Sequence, residues 1–188
     1  MKKCGIVTLW GDNFGNKVQN YALQEFLKKN YNFDVYTIVY RNEKNTSKVS
    51  LKNKIINKLN VYKNKVFYGK LLEQRKSEFY KFSNKYIKTY PKQYSSQDNT
   101  GELNDIFDQF VVGSDQVWNT CWEGKNPFFY LNFASNDKKV SYAASFGIDR
   151  VDPLYEEMIK NELSKFKDIS VREEQGQKII KDLINRDT

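Results

Sequence analysis

Asp115 is the residue best placed in this sequence to move a proton. It lies in Gly113-Ser114-Asp115-Gln116-Val117-Trp118-Asn119, a polar run directly behind the apolar stretch 107–112. The chain contains no His, so a Ser-His-Asp triad, a His-ligated zinc and an imidazole acid or base are all excluded. A general base must then be a carboxylate or a Lys. Asp115 and Gln116 offer a carboxylate and an amide, the usual partners of sugar hydroxyls, and Trp118 offers a ring face for a pyranose. The competing assignment is a helix cap at Asp115 with a structural Trp118. Cys121 follows closely, but with no base to form its thiolate it is read as a bystander.

Three further segments share that polar character. Gly11-Asp12-Asn13-Phe14-Gly15-Asn16 supplies two glycines ahead of a helical pattern, where free N–H groups suit an anion or a closely approaching sugar hydroxyl. The glycine spacing does not make the dinucleotide fingerprint, so a tight strand-to-helix turn fits equally well. Asp12 and Asn13 can bond a polyol or close the turn by Asx geometry, and Asn16 is placed to cap the helix. Ser145 opens Ser145-Phe146-Gly147, in which Phe146 is assigned to packing. Arg172 with Glu173 either holds an anion or forms an ion pair that braces its loop.

Apolar runs at 4–10, 33–39, 107–112, 139–144 and 169–171 read as strands. Helical spacing separates them. Val18, Ala22 and Phe26, joined by Leu23 and Leu27, mark a helix over residues 16–30. A second helix is expected from Pro153 to about residue 166, and a last one carries Ile179, Ile180, Leu183 and Ile184. The alternation predicts an α/β fold, a Rossmann-like three-layer αβα domain with a mostly parallel sheet. Residues 41–92 read as a helical insertion, with Ile55, Leu59, Tyr62 and Val66 in one helix and Leu72, Phe79, Phe82 and Tyr86 in another. Gly69 is expected to part the two and Pro91 to end the second. Because ligands bind outside the carboxyl ends of parallel strands, the four polar loops are expected to line one cleft.

The chain has 188 residues, 31 Lys and Arg against 23 Asp and Glu, and a net charge of +8. That charge is regional: residues 41–92 carry +12, and the rest sums to −4. Because the motif-bearing segments are the mildly acidic part, nucleic acid is not the expected partner. The basic insertion is either a solvated face or a surface that rests on anionic phospholipid, at about 1 kcal/mol per Lys. The whole chain's 13 Tyr, 13 Phe and 3 Trp mean that much of the core must be aromatic. Two cysteines are too few for a disulfide scaffold and lack metal-ligand spacing. No signal-peptide core and no 18-residue apolar run occurs, so a cytoplasmic protein is expected, peripheral to the inner face of the membrane if the basic face touches lipid.

Taken in order, four segments resemble the polysaccharide pyruvyl transferase family. They are Gly11-Asp12-Asn13-Phe14-Gly15-Asn16 with Gln19, Ala22 and Leu23; Phe107-Asp108 with Val111-Val112-Gly113-Ser114-Asp115-Gln116-Val117-Trp118-Asn119; Ser141-Tyr142-Ala143-Ala144-Ser145-Phe146-Gly147; and Ser170-Val171-Arg172-Glu173. The resemblance implies an enzyme that moves a pyruvyl group from phosphoenolpyruvate, its donor substrate, onto sugar hydroxyls as a ketal in cell-surface polysaccharide biosynthesis, with no bound cofactor. It also implies two Rossmann-type halves facing a cleft, as in two-domain GT-B-like glycosyltransferases. Residues 1–188 match the N-terminal half, and the donor groups are expected in a C-terminal domain beyond it, so that this part alone is inactive. By the same resemblance Asp12, Asn13, Asn16, Ser114, Gln116, Trp118, Ser145 and Arg172 are candidates for binding a saccharide acceptor, which may carry a lipid, and Asp115 for catalysis. A non-catalytic glycan-binding module and half of a nucleotide-sugar glycosyltransferase are the alternatives.

Overall fold

The computed structural model describes residues 1–11, 13–41 and 51–188, with the backbone alone over 51–67. Four strands, β1 (Lys3–Val7), β2 (Asp34–Ile38), β3 (Gln109–Gly113) and β4 (Lys139–Tyr142), form one sheet in the order β2-β1-β3-β4. Every pairing is parallel, with Cys4 opposite Val35 and Gln109, and Phe110 opposite Lys139. A parallel sheet needs crossovers that cover its faces, and its inner strands are then buried on both sides. The helices are α1 (Phe14–Tyr31), α2 (Leu51–Tyr86), α3 (Leu103–Ile106), α4 (Glu156–Leu163) and α5 (Glu174–Ile184). This arrangement is α/β and consistent with a Rossmann-like domain.

Side chains alternate across the sheet with the period of two that a strand imposes. Cys4, Ile6, Val35 and Val111 meet Leu23 and Leu27 of α1 on one face. Val7, Ile38, Phe110 and Val112 face the opposite way and join a larger core, to which α4 and α5 add Ile159, Leu163, Ile179 and Ile180. Phe107, Phe128, Phe129, Tyr130 and Phe146 also lie in that core, so its aromatic character follows the composition. Cys4 is fully buried on β1, and burial pushes its thiol up to about 12, leaving it an inert apolar group.

Helix α1 turns a different face inward from the one its apolar spacing suggests. Val18 and Phe26 are exposed, as is Ala22, whereas Lys17, Asn20, Leu23, Gln24 and Leu27 are buried. Polar partners explain the rotation. Gln24 Nε2 donates to Thr37 Oγ1 at 2.8 Å and to the Lys88 carbonyl at 2.8 Å, and its Oε1 accepts the Lys88 N–H at 3.1 Å. Thr37 Oγ1 donates to Asn20 Oδ1 at 2.8 Å. These bonds hold the chain that follows α2 against the edge of β2, where Thr89 and Tyr94 make single parallel bridges to Thr37 and Tyr40. Replacing Gln24 by Ala removes one buried and two part-buried hydrogen bonds and should lower stability by about 1–3 kcal/mol. Its signature is a drop in the denaturant midpoint with faster exchange of the Tyr90 and Tyr94 amides, which donate to the Thr37 and Val39 carbonyls.

Several boundaries differ from the sequence expectations. One continuous helix of 36 residues runs through Gly69; a single interior Gly costs only about 1 kcal/mol, and Lys70, Leu71 and Leu72 beside it are strong helix formers. That helix ends at Tyr86 instead of at Pro91, because the residues after it pair with β2. The side-chain spacing expected at Ile55, Leu59, Tyr62 and Val66 lies outside the described residues. Residues 153–155 form a turn closed by Asp152, whose Oδ1 accepts the Leu154 N–H at 2.9 Å, so α4 starts at Glu156. In place of a strand at 169–171, residues 168–171 make two isolated bridges, Asp168 to Val140 and Val171 to Ala144.

Candidate functional site

A cleft of about 680 Å³ opens above the carboxyl ends of β1, β2 and β3. It sits where the strand order reverses, between β1 and β3, the place at which neighbouring crossovers diverge and leave a crevice. Its polar wall is formed by Asn13, Asn16, Asp115 and Gln116, with Arg41 and Glu123 completing it. Trp10, Tyr40 and Trp122 supply the apolar part.

The amino-terminal turn of α1 brings the two asparagines into place. Asn13, not Asn16, is the cap: its Oδ1 accepts the Gly15 N–H at 2.8 Å. Asn16 falls in the first turn, and its amide donates instead to Asp115 Oδ2 across the cleft floor. Gln19 completes the tie between the strand ends. Its Nε2 donates to Thr8 Oγ1 at 2.9 Å, and its Oε1 accepts the backbone N–H and the hydroxyl of Ser114 at 3.2 and 3.0 Å. Asp12 lies outside the described residues.

Behind β3 the chain must reverse sharply. Gly113 has φ +121°, and a Cβ there would come within 2.2 Å of the Tyr142 carbonyl oxygen, so only Gly fits. Asp115 then folds back on itself: Oδ1 accepts the Gln116 N–H at 2.8 Å, and its carbonyl accepts the N–H groups of Val117 and Ser145 at 2.7 and 3.0 Å. The carboxylate therefore sits in the cleft wall with its backbone anchored to the loop after β4.

The strand-end loops do converge, but not every expected residue reaches the cleft. Asn13, Asn16, Asp115 and Gln116 line it together. Ser114 is occupied by Gln19. Ser145 is fully buried and lies underneath: its N–H goes to Asp115, its carbonyl accepts the Trp118 N–H at 3.1 Å, and its hydroxyl donates to Glu173 Oε1 at 3.1 Å. Arg172 lies outside the cleft lining, its Nε 3.8 Å from Glu173 Oε2. The bracing ion pair is therefore what forms there, and Glu173 also accepts the N–H groups of Phe146 and Gly147 at 2.9 and 3.2 Å. Ser145 follows β4, the outermost strand, and Arg172 follows the segment bridged to Val140 and Ala144 on the far side of β4, which removes both from the crevice between β1 and β3.

Trp118 is a correction. It is 0 % exposed, stacks on Tyr130 with ring centroids 5.7 Å apart, and donates Nε1–H to the Phe129 carbonyl at 2.9 Å. No pyranose can reach it. Trp122, four residues later, is the indole that is exposed in the cleft wall, at 65 %. Trp10, Tyr40, Arg41 and Glu123 were also missed. The apparent strand 4–10 hid Trp10 inside a hydrophobic run, Tyr40 and Arg41 follow β2 without a polar turn, and Trp122-Glu123 fall beyond the motif that ends at Asn119.

The family model for polysaccharide pyruvyl transferases matches residues 13–187. The chain belongs to that family. No curated protein and no solved structure is detectably similar to it. Membership in a pyruvyl transferase family makes a transferase the coarse reading of the cleft, whose described wall carries the carboxylates of Asp115 and Glu123, the amides of Asn13, Asn16 and Gln116, and the exposed indole of Trp122. Among the described residues, no group of three or more His, Cys, Asp or Glu could hold a metal ion, and no helix is long and apolar enough to cross a membrane.

Proposed function

We propose that this chain forms the acceptor side of an enzyme that transfers a pyruvyl group from phosphoenolpyruvate to two hydroxyls of a saccharide, in cell-surface polysaccharide biosynthesis. The observation that carries the proposal is the convergence of Asn16, Asp115, Gln116 and Trp122 on one cleft at the sheet's switch point. A sugar ring stacked on Trp122 turns its hydroxyl edges toward the carboxylate and amides, the pairing by which saccharides are held. Asp115 removes the proton from the first hydroxyl as that oxygen attacks the central carbon of phosphoenolpyruvate, while a proton added to the methylene carbon makes the methyl group. The second hydroxyl then attacks the same carbon, loses its proton, and displaces inorganic phosphate, which leaves the cyclic ketal.

Protonating the methylene needs an acid, and the enolpyruvate phosphate needs cations. In this proposal both come from a second α/β lobe that faces the cleft in a GT-B-like arrangement, so residues 1–188 bind the acceptor without turning it over. The protein acts in the cytoplasm, at the inner membrane face when the acceptor is lipid-linked.

Calorimetry with free saccharides, phosphoenolpyruvate and nucleotide sugars tests the assignment, together with phosphate release in a form that includes the second lobe. The expected result is saccharide binding that Trp122→Ala weakens about tenfold, in keeping with an aromatic anchor, and phosphate released from phosphoenolpyruvate only when a saccharide is present. Consumption of a nucleotide sugar in its place would assign the cleft to glycosyl transfer.

A further inference from the structure

Helix α2 leaves the body of the protein beside the cleft. Its last turns pack on α1, with ring centroids 4.3 Å apart for Phe79 and Phe14, 6.0 Å for Phe82 and Tyr21, and 5.6 Å for Tyr86 and Tyr21. Later residues of one helix meet later residues of the other, so the two run the same way, and residues 51–78 of α2 continue past the start of α1. That start carries Asn13 and Asn16, which line the cleft. At a rise of about 1.5 Å per residue the extension is about 40 Å long. Every residue from Lys70 to Glu78 is exposed, as is Tyr68.

The sequence loads this helix with charge. Residues 51–86 hold nine Lys and one Arg against two Glu, a net +8 that equals the charge of the whole chain. Lys81 pairs with Glu78 at 2.8 Å, Arg75 lies 5.3 Å from the centre of the Phe79 ring, and Lys85 lies 5.1 Å from that of Tyr86. Surface contacts of this kind are weak and leave the net charge in place, so what attracts a counter-charge is the field of the helix and no single group on it. Tyr68, Leu71, Leu72 and Tyr80 are exposed among these cations. Leu71 and Tyr80, nine residues apart, lie about 180° apart around the axis. The four therefore do not form the one stripe that would sink the helix into hydrocarbon or seat it against another helix. A nucleic acid answers the charge but offers Leu71 and Leu72 nothing. An anionic bilayer answers both, taking the cations at its headgroups and the leucines at the acyl boundary.

We propose that α2 docks this protein on a bilayer containing anionic phospholipid, which sets the cleft beside the membrane surface. That the membrane delivers the acceptor rests on the acceptor reading of the cleft; the docking itself does not.

The test is cosedimentation of the whole chain with phosphatidylcholine vesicles, with and without phosphatidylglycerol, at two salt concentrations and with oligouridylate as competitor. The chain should sediment only with the vesicles that contain phosphatidylglycerol, and less so as salt screens the attraction. Lys70→Gln combined with Lys76→Gln removes two exposed charges and should weaken binding by ~10-fold or more. Leu71→Ser combined with Leu72→Ser should weaken it by ~3-fold or more with the salt dependence retained. All four positions are exposed, so thermal midpoints should stay at the parent value. Binding that does not depend on phosphatidylglycerol, or that either pair of substitutions leaves unchanged, overturns the docking. Release from the vesicles by an equal charge of oligouridylate overturns it in favour of a nucleic acid. Calorimetry with the free saccharides separates this proposal from the one before: vesicle binding by a chain that binds no saccharide keeps the docking and overturns the acceptor cleft, and saccharide binding without vesicle binding does the reverse.

Discussion

Asp115→Asn should lower the proposed pyruvyl transfer by about 10²–10⁴-fold, the range that a positioned general base contributes, in a form of the protein that carries the proposed donor lobe. The substitution keeps size and planarity. Its oxygen still accepts the Gln116 N–H, and the Asn16 amide can turn its own oxygen toward the new donor, so the loop is retained. Thermal midpoint and saccharide affinity are therefore expected to stay close to the parent values. The loss should fall on kcat, because the proton leaves the hydroxyl only as the new carbon–oxygen bond forms. Undiminished turnover in Asp115→Asn would remove this residue as the base. Glu123, the other carboxylate in the wall, would then be the next residue to replace.

Trp118→Ala is the change expected to be most damaging to the fold. The indole has no solvent exposure and meets Tyr130, Phe146 and Phe166, with ring centroids 5.2–5.8 Å away. It also donates to the Phe129 carbonyl. Truncating a buried Trp removes about 3–5 kcal/mol, a large part of the 5–15 kcal/mol available to a typical domain. Chemical denaturation should show an early midpoint for Trp118→Ala, with Trp118→Phe between it and the parent. Trp122→Ala supplies the contrast: exposed and outside the core, it should leave the midpoint nearly unchanged and weaken saccharide binding. If the two variants exchanged these behaviours, the division between core indole and cleft indole would be wrong.

Local patterns carried the sheet well. Short apolar runs broken by polar turns placed β1 through β4 to within a few residues, because a parallel strand buried on both faces reads as a continuous apolar block. What such patterns could not supply was orientation around a helix axis. On α1 the bonds from Asn20 and Gln24 to Thr37 and Lys88 override the apolar spacing, and those partners are distant in sequence. The same limit explains the two tryptophans: Val117-Trp118 and Cys121-Trp122 look alike as text, and only tertiary packing buries the first and exposes the second. Asp115 and Asn16 were legible because strand-end geometry alone brings them to one edge. Ser145 and Arg172 needed the strand order, which was not evident from the chain.

The Asn16–Asp115 latch also has a kinetic meaning. In the proposed reading, a sugar hydroxyl that takes the place of Asn16 on Asp115 Oδ2 must displace an amide already bonded there. Exchange of one such bond for another yields only about 0.5–1.5 kcal/mol, so residence should be brief and saturation should demand concentrated acceptor. In the proposed reaction, a crevice so arranged would let go of its finished ketal as readily as it gathered the unmodified glycan.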